Sequence, residues 1–376
     1  MHELLATVQT GMAFVETMQR AWENGDAILP IDPRLPDVAV STLLSAMRPS
    51  RLVLDDGSTL TLDAPRPIDE GDALVVATSG STGTPKGVVH THASLRASAI
   101  STSTALGVEP ATDRWLCCLP LSHIAGLAVV IRSLTFDMPF DILDRFEPTA
   151  VMAAARSGAT LTSLVPTALA RVDASLFRRI IVGGSAAPAS LPANCRMSYG
   201  MTETGSAVVF DGMALPGVEL RIVDGEIQVR GDMVLRAYRD GTDPRTTDGW
   251  LRTNDAGEID ENGVLHVSGR RGDLIISGGE NIWPTPVESA LELLDSVAEV
   301  AIVGRPDPEW GQVVTAVVVA ADPASPPDLE SLRDAVKAVL PAFCAPRRLE
   351  LVGSLPRTAL GKVQRGNLAP SVPEAD

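Results

Sequence analysis

The segment Thr78–Gly87 reads T-S-G-S-T-G-T-P-K-G, and no other stretch restricts the fold of this chain as much. It follows the apolar run Ala73–Ala77, whose length and β-branched content predict a buried strand. A loop of Gly, Ser and Thr leaving a strand offers backbone N–H groups and hydroxyls to an anion. Its small side chains let phosphate oxygens come close, and Lys86 adds a mobile cation. The spacing is not that of the P-loop of nucleotide hydrolases. Counted from Gly80, that motif needs Gly at 85 and Ser or Thr at 87, where this chain has Pro85 and Gly87. A flexible surface linker is the poorer reading, because Thr-Pro-Lys-Gly runs straight into another apolar segment.

The net charge is −16, from 31 Lys and Arg against 47 Asp and Glu, so positive potential around a phosphate must be local. That balance lacks the footprint of a nucleic-acid binder and argues against a polybasic membrane surface. No run approaches the roughly 18 apolar residues of a membrane span, and Met1-His-Glu-Leu-Leu has no basic leader region. A cytoplasmic protein is expected. Cys117, Cys118, Cys195 and Cys344 form no C-x-x-C pair and read as reduced thiols, the adjacent pair facing opposite sides of a strand. His90 and His92 suggest a metal pair by spacing alone, but no Cys or His cluster completes a zinc site.

With 376 residues, of which 45% are hydrophobic, the chain can build two or three cores. From Ala73 to about Val182, strand-like runs (Trp115–Leu119, Ala159–Val165, Arg179–Gly184) alternate with helical patterns, which predicts α/β layers. Between Gly217 and His266, short alternating segments such as Glu219–Val223 and Glu226–Arg230 are divided by Asp-Gly and Asn-Gly turns. They predict a small antiparallel β-barrel or distorted sheet. Beyond Arg270, an α+β unit is expected. Val287, Ala290, Leu291 and Leu294 share one helical face, Val300–Val303 and Thr315–Val319 read as strands, and Leu329, Leu332, Val336, Val339 and Leu340 mark a second amphipathic helix. The predicted architecture is a large α/β domain, 1–270, and a smaller, mobile α+β domain, 271–376, with a hinge near Gly272.

Further clusters suit a nucleotide. Gly183-Gly184-Ser185-Ala186 ends a strand and would let a planar ring lie on backbone. Tyr199-Gly-Met-Thr-Glu-Thr-Gly205 offers an aromatic for stacking, the Thr202 hydroxyl for a phosphate and the Glu203 carboxylate for Mg²⁺. Asp255 suits ribose hydroxyls, and Lys362 sits on a Gly-containing turn where a long cation can swing. Singly, each has a structural reading of equal weight: Tyr199 as core edge, Asp255 as turn former, Lys362 as a solvated charge.

Together and in this order, these segments resemble the adenylate-forming acyl-CoA synthetase superfamily. The resemblance runs from about Leu74 to Arg365. It rests on the Thr78–Gly87 loop, P-L-S-H-I-A-G at Pro120–Gly126, Y-G-M-T-E-T-G, T-N-D-A-G-E-I-D at Thr253–Asp260, G-R-R-G-D-L-I-I-S-G-G-E-N-I at Gly269–Ile282 and the Lys362 segment. It implies a carboxylic acid attacking Mg-ATP to give an acyl-adenylate, then rotation of the small domain and displacement of AMP by a thiol, commonly that of coenzyme A. By resemblance, Thr78, Ser79, Gly80, Ser81, Thr82, Gly83 and Lys86 grip phosphates. Gly184, Ser185, Ala186, Tyr199 and Gly200 line the adenine site, and Thr202 and Glu203 serve phosphate and Mg²⁺. Asp255 and Arg270 hold ribose, and Lys362 bridges carboxylate and α-phosphate. Gly278 and Gly279 shape the pantetheine tunnel, and His123 lies near the acyl carboxylate. A homodimer is compatible with the resemblance. Two departures stand out: Thr-Asn-Asp replaces the usual Thr-Gly-Asp, and the sequence before the phosphate loop is short, implying a trimmed N-terminal subdomain.

Among short synthetases, the chain is most similar to the o-succinylbenzoate–CoA ligases of menaquinone synthesis, through Leu119–Gly126, the following Arg132, and Ser163-Leu-Val-Pro-Thr167. That acid has two carboxylates, one activated and one spectator, and a spectator in an apolar pocket needs a cation or several donors. Arg132, alone among apolar residues, fits that need, with Ser163 and Ser206 as candidate donors; a helix-face arginine reaching solvent is the structural alternative. Ligases for another aromatic or fatty acid, and a stand-alone adenylating enzyme loading a carrier protein, are the other readings.

Overall fold

The computed structural model describes residues 2–78, 85–184, 190–357 and 363–368. The chain divides into two compact units: residues 1–221, 228–252 and 260–265 form one, and 222–227, 253–259 and 266–376 the other.

The first unit is built on two seven-stranded sheets. In one, Leu4–Thr7, Ala27–Pro30 and Arg51–Val53 run parallel, and Asp72–Thr78 joins parallel to Ala27–Pro30. Lys86–Thr91 then turns back antiparallel beside it. In the other, Phe140–Ile142, Trp115–Cys117, Leu161–Leu164, Arg179–Val182 and Cys195–Met201 lie parallel in that order, and Ser206–Phe210 and then Met213–Ala214 complete the row, each antiparallel to its neighbour. One core joins residues of both sheets (Leu74, Val76, Trp115, Leu161) to the helices Gly11–Glu23, His92–Leu106 and Ile124–Thr135. Each sheet also has a second apolar face with its own core. Burial on both faces explains why these strands read as nearly continuous apolar runs. The adjacent thiols show it directly: Cys117 belongs to the shared core and Cys118 to the core on the opposite face. All four cysteines are buried and unpaired by disulfides.

Expected strands appear at their places, shortened where a loop begins: Trp115–Cys117, Leu161–Leu164 and Arg179–Val182. Glu219–Val223, Glu226–Arg230, Leu251–Ile259 and Leu265–Arg270 form a four-stranded sheet in that order.

The second unit centres on a long hairpin, Val297–Asp307 against Gly311–Ala320, flanked by Ile275–Ser277 and Arg348–Leu351. Helices Pro284–Leu291 and Leu329–Val339 contribute Val287, Leu291, Leu332 and Val336 to its core. Val339 departs from the amphipathic expectation: it is 65% exposed at the helix end. The next residue, Leu340, leaves the helix with extended backbone and packs on the core instead. Among the described residues, no helix is long and apolar enough to cross a membrane.

Candidate active site

The antiparallel register sets Thr78 opposite Lys86, so the residues that flank the Gly/Ser/Thr segment lie side by side, one of them at the end of a buried strand. The Thr78 hydroxyl donates to the Lys86 carbonyl at 3.3 Å. Ser79, Gly80, Ser81, Thr82 and Gly83 lie outside the described residues. Exposed Lys86 extends its ammonium to 5.2 Å from the centroid of the Tyr238 ring. Gly87 is required by packing, since a Cβ there would lie 2.5 Å from Met47 Sδ and 2.8 Å from Arg239 Cβ.

In the second sheet, the parallel strands end at one edge in Cys117, Leu164, Val182 and Met201. His123, Ser163, Gly184, Tyr199 and Gly200 therefore lie at or just beyond their carboxyl ends, where open α/β sheets bind ligands. Gly184 takes φ +91°, a conformation that favours glycine, immediately after Gly183, whose Cβ would sit 2.3 Å from Ser198 Oγ. Ser185 and Ala186 lie outside the described residues. Gly200 stands at a register shift against Ser206–Phe210, and a Cβ there would lie 2.2 Å from the Ser206 carbonyl oxygen. Backbone cannot yield as a flexible side chain does, so Gly200→Ala is expected to cost about 1–3 kcal/mol. Chemical denaturation should show that loss, together with weaker ATP binding.

The turn Thr202–Thr204 is tied down from several sides. His90 Nε2 donates to the Thr202 carbonyl at 2.7 Å, and the Leu235 N–H to the Glu203 carbonyl at 2.7 Å. The Tyr238 hydroxyl donates to Glu203 Oε1 at 2.9 Å. Fully buried Thr204 directs its hydroxyl to the Ser206 carbonyl at 2.7 Å and accepts from the Met201 N–H at 3.0 Å. Burial lowers the His90 pKa to about 4, so the ring is neutral at physiological pH. His92 packs edge-on to Trp22, with ring centroids 5.1 Å apart. The half-buried Glu203 carboxylate is a hard oxygen ligand. It suits Mg²⁺, which keeps waters and substrate phosphates as its other ligands.

Arg132 lies in the helix Ile124–Thr135, whose N-cap residue is His123, and does not snorkel: it is 2% exposed. Its Nη2 donates to Ser206 Oγ at 2.6 Å, and its guanidinium carbon lies 5.3 Å from the Trp115 ring centroid. Nε and Nη1 have no hydrogen-bond partner among the described residues, and no carboxylate pairs with the group. Burial pushes its pKa down to about 9, which leaves a cation at neutral pH. A narrow gap beside it is bounded by Leu95, Ser98, Ala99, Ala128, Ile131 and Gly205. Ser163 is buried in the strand Leu161–Leu164 on the face that this helix covers. The structure thus joins Arg132 to Ser206 directly and shows no bond from either to Ser163.

In the second unit, Arg270 Nε pairs with Asp255 Oδ1 at 3.0 Å, and Arg270 Nη1 donates to the Thr253 carbonyl at 3.0 Å. Asn254 between them has φ +58°. That left-handed backbone is one glycine adopts freely and asparagine tolerates best among the rest, which accounts for Asn in place of the usual Gly. Gly278, at φ +59°, packs under Trp310, whose ring a Cβ would meet at 2.6 Å, while Gly279, at φ +87°, has open space. Lys362 lies outside the described residues. The chain on either side of it is closed by a bridge between Arg357 and Val363 and by the Gln364 N–H donating to the Pro356 carbonyl at 2.8 Å.

Two residues of this framework escaped the sequence analysis as site components: Tyr238, and His90 as a support of the turn. The chain has only two tyrosines, Tyr199 and Tyr238. Their rarity was the available signal for the second.

Residues 55–239 match the family model described as AMP-binding enzyme, and residues 286–362 match the AMP-binding enzyme C-terminal domain. A 2-succinylbenzoate–CoA ligase of Listeria monocytogenes is 35% identical over 327 residues, covering 79% of this chain and 69% of that protein. A probable 2-succinylbenzoate–CoA ligase of Mycobacterium tuberculosis is 38% identical over 327 residues, covering 80% and 85%. Among solved structures, the Bacillus subtilis o-succinylbenzoate CoA synthetase with its acyl-adenylate intermediate OSB-AMP superposes with TM-score 0.87 at 30% identity, covering 97% of this chain and 88% of that one. The same synthetase with ATP and magnesium ion gives TM-score 0.87 at 29% identity.

Proposed function

The chain belongs to the AMP-binding enzyme family, and we propose that it is an AMP-forming acid–CoA ligase acting on 2-succinylbenzoate in menaquinone synthesis. A carboxylate oxygen of the acid attacks the α-phosphorus of ATP and pyrophosphate leaves. The sulfur of coenzyme A then attacks the acyl carbon and AMP leaves. Mg²⁺, when bound, neutralises phosphate charge that would repel the incoming carboxylate.

The loop after Thr78, Lys86 and the Thr202 hydroxyl bind the phosphates, and Glu203, oriented by Tyr238, would hold Mg²⁺. Tyr199 and Gly184 with the two residues after it receive adenine, and the Asp255–Arg270 pair receives the ribose hydroxyls. His123 stands beside the activated carboxylate. Positioning two anions and stabilising charge as it develops are the chemical work required of these groups. Functionally, residues 1–270 form the large domain and 271–376 the mobile one. Gly272, whose surroundings would leave a Cβ nothing within 4 Å, acts as the hinge. The enzyme works in the cytoplasm, in keeping with its reduced thiols.

Arg132 supports this choice of acid. A buried guanidinium with two nitrogens unsatisfied costs stability unless an anion comes to meet it. The spectator carboxylate of 2-succinylbenzoate is such an anion. A panel of acids scored for pyrophosphate release, with and without coenzyme A, tests the reading. 2-Succinylbenzoate should be preferred strongly over aryl and fatty monocarboxylates, with sustained turnover only when coenzyme A is present. Equal use of a monocarboxylate would refute the assignment of the acid, and turnover requiring a carrier protein would refute coenzyme A as the acceptor.

A further inference from the structure

The Thr202–Thr204 turn is a single turn of 3-10 helix, and a short turn cannot fix its own orientation. Its anchors come from other elements, and one is a side chain with no place in the reaction. His90 is the last buried residue of the strand Lys86–Thr91, at 0% exposure. Nδ1 lies 3.1 Å from Ser94 Oγ, and Nε2 lies 2.7 Å from the Thr202 carbonyl oxygen. A carbonyl only accepts, so the proton sits on Nε2, and Nδ1 is left to meet the Ser94 hydroxyl. Ser94 is itself fixed by the reciprocal cap that starts the helix His92–Leu106: Thr91 N–H to Ser94 Oγ at 3.1 Å, and Ser94 N–H to Thr91 Oγ1 at 3.1 Å. The strand that begins at Lys86 thus ends in a rigid cap, and that cap aims the one imidazole proton at the carbonyl preceding Glu203. Gly205 completes the fit, because a Cβ there would come within 3.5 Å of the His90 ring and 3.3 Å of Ser98.

We propose that His90 is a positioning residue for the metal–phosphate corner of the site: it fixes the Thr202 backbone so that the Glu203 carboxylate and Thr202 hydroxyl keep a set position relative to the strand Lys86–Thr91. The inference rests on the ligase reading of the preceding section. It concerns only adenylation, since the acyl-adenylate has lost the two outer phosphates and the Mg²⁺ they carry. Groups that orient a metal ligand typically change metal affinity or activity by about 10–100-fold when removed.

The test compares His90→Leu, which lacks the donor, with His90→Gln, whose side-chain amide can still reach the carbonyl, and His90→Asn, which is too short. ATP binding is measured by calorimetry with and without Mg²⁺. Pyrophosphate release is followed over a Mg²⁺ titration, and thioester formation is followed from supplied acyl-adenylate and coenzyme A. In His90→Leu and His90→Asn, the tightening of ATP binding by Mg²⁺ should be largely lost and half-maximal Mg²⁺ raised about tenfold or more. Thioester formation should stay within about threefold of wild type, and His90→Gln should recover most of the Mg²⁺ effect. Equal losses in both half-reactions would make His90 a fold residue and overturn the proposal; so would an unchanged Mg²⁺ dependence, or failure of His90→Gln to recover. If His90→Leu does not fold, the contrast of Gln with Asn decides. A wild-type enzyme that releases no pyrophosphate with any acid would instead overturn the ligase reading.

Discussion

Arg132→Ala is expected to lower kcat/KM for 2-succinylbenzoate by about two to three orders of magnitude and to leave ATP binding almost unchanged. The substrate's spectator carboxylate would enter a desolvated pocket and find no cation. Losing one partner of a buried charge pair costs roughly 3–5 kcal/mol, less where water follows the substitution, and each 1.4 kcal/mol is about tenfold. ATP is spared because its loops start from Thr78 and Tyr199, not from the helix that carries Arg132. A monocarboxylate lacking the spectator group should be a poor substrate for the wild type and nearly indifferent to the mutation, so a cycle over enzyme and substrate isolates the coupling. Stability offers an independent readout. With one hydrogen bond, to Ser206, and no carboxylate partner among the described residues, Arg132 burdens the free fold. Arg132→Met keeps much of the volume without the charge and is expected to resist denaturant better than wild type, by about 1 kcal/mol or more. Greater stability joined to a lost substrate marks a functional residue. Lower stability, with both acids equally impaired, would make Arg132 a structural partner of Trp115 and Ser206.

Arg132 also shows where the sequence was legible and where it was not. A lone arginine in Leu127–Leu134 conflicts with the apolar pattern around it, and such conflicts collect at functional sites. The phosphate loop was readable for the opposite reason: Gly, Ser, Thr and Lys after a buried strand satisfy local geometry and anion chemistry together. Asn254 looked like a mere departure until its φ of +58° supplied the reason. Tyr238 and His90 could not be placed, because each acts across long sequence separations. Tyr238 reaches Glu203, 35 residues away, and His90 reaches Thr202, 112 residues away. Neither carries a local pattern that differs from a core aromatic or a strand histidine. Val339 failed in a simpler way: periodicity predicts a face, but not where the core under that face ends.

Lys362→Ala should reduce pyrophosphate release by about 10²–10³, since a single preorganised group aimed at developing charge is typically worth that much. Conversion of supplied acyl-adenylate and coenzyme A to thioester should persist near the wild-type rate. The family resemblance places this lysine between the carboxylate and the α-phosphate in the first half-reaction and removes it before the second. The described residues on either side of it are tied together. The bridge from Arg357 to Val363 and the Gln364–Pro356 hydrogen bond fix both ends, and Arg365 is secured to Glu288 and Asp273 by ion pairs. Lys362→Ala deletes the charge without touching any of these contacts. Lys362→Arg separates charge from fit, since the planar guanidinium keeps the charge but not the compact ammonium. It is expected to recover only a small part of the loss if Lys362 bridges two oxygens, and most of it if the residue merely raises local potential. Equal loss in both half-reactions would place Lys362 at a step common to them and undo its assignment to adenylation. The nucleotide site would stand, because it is built from residues of other segments.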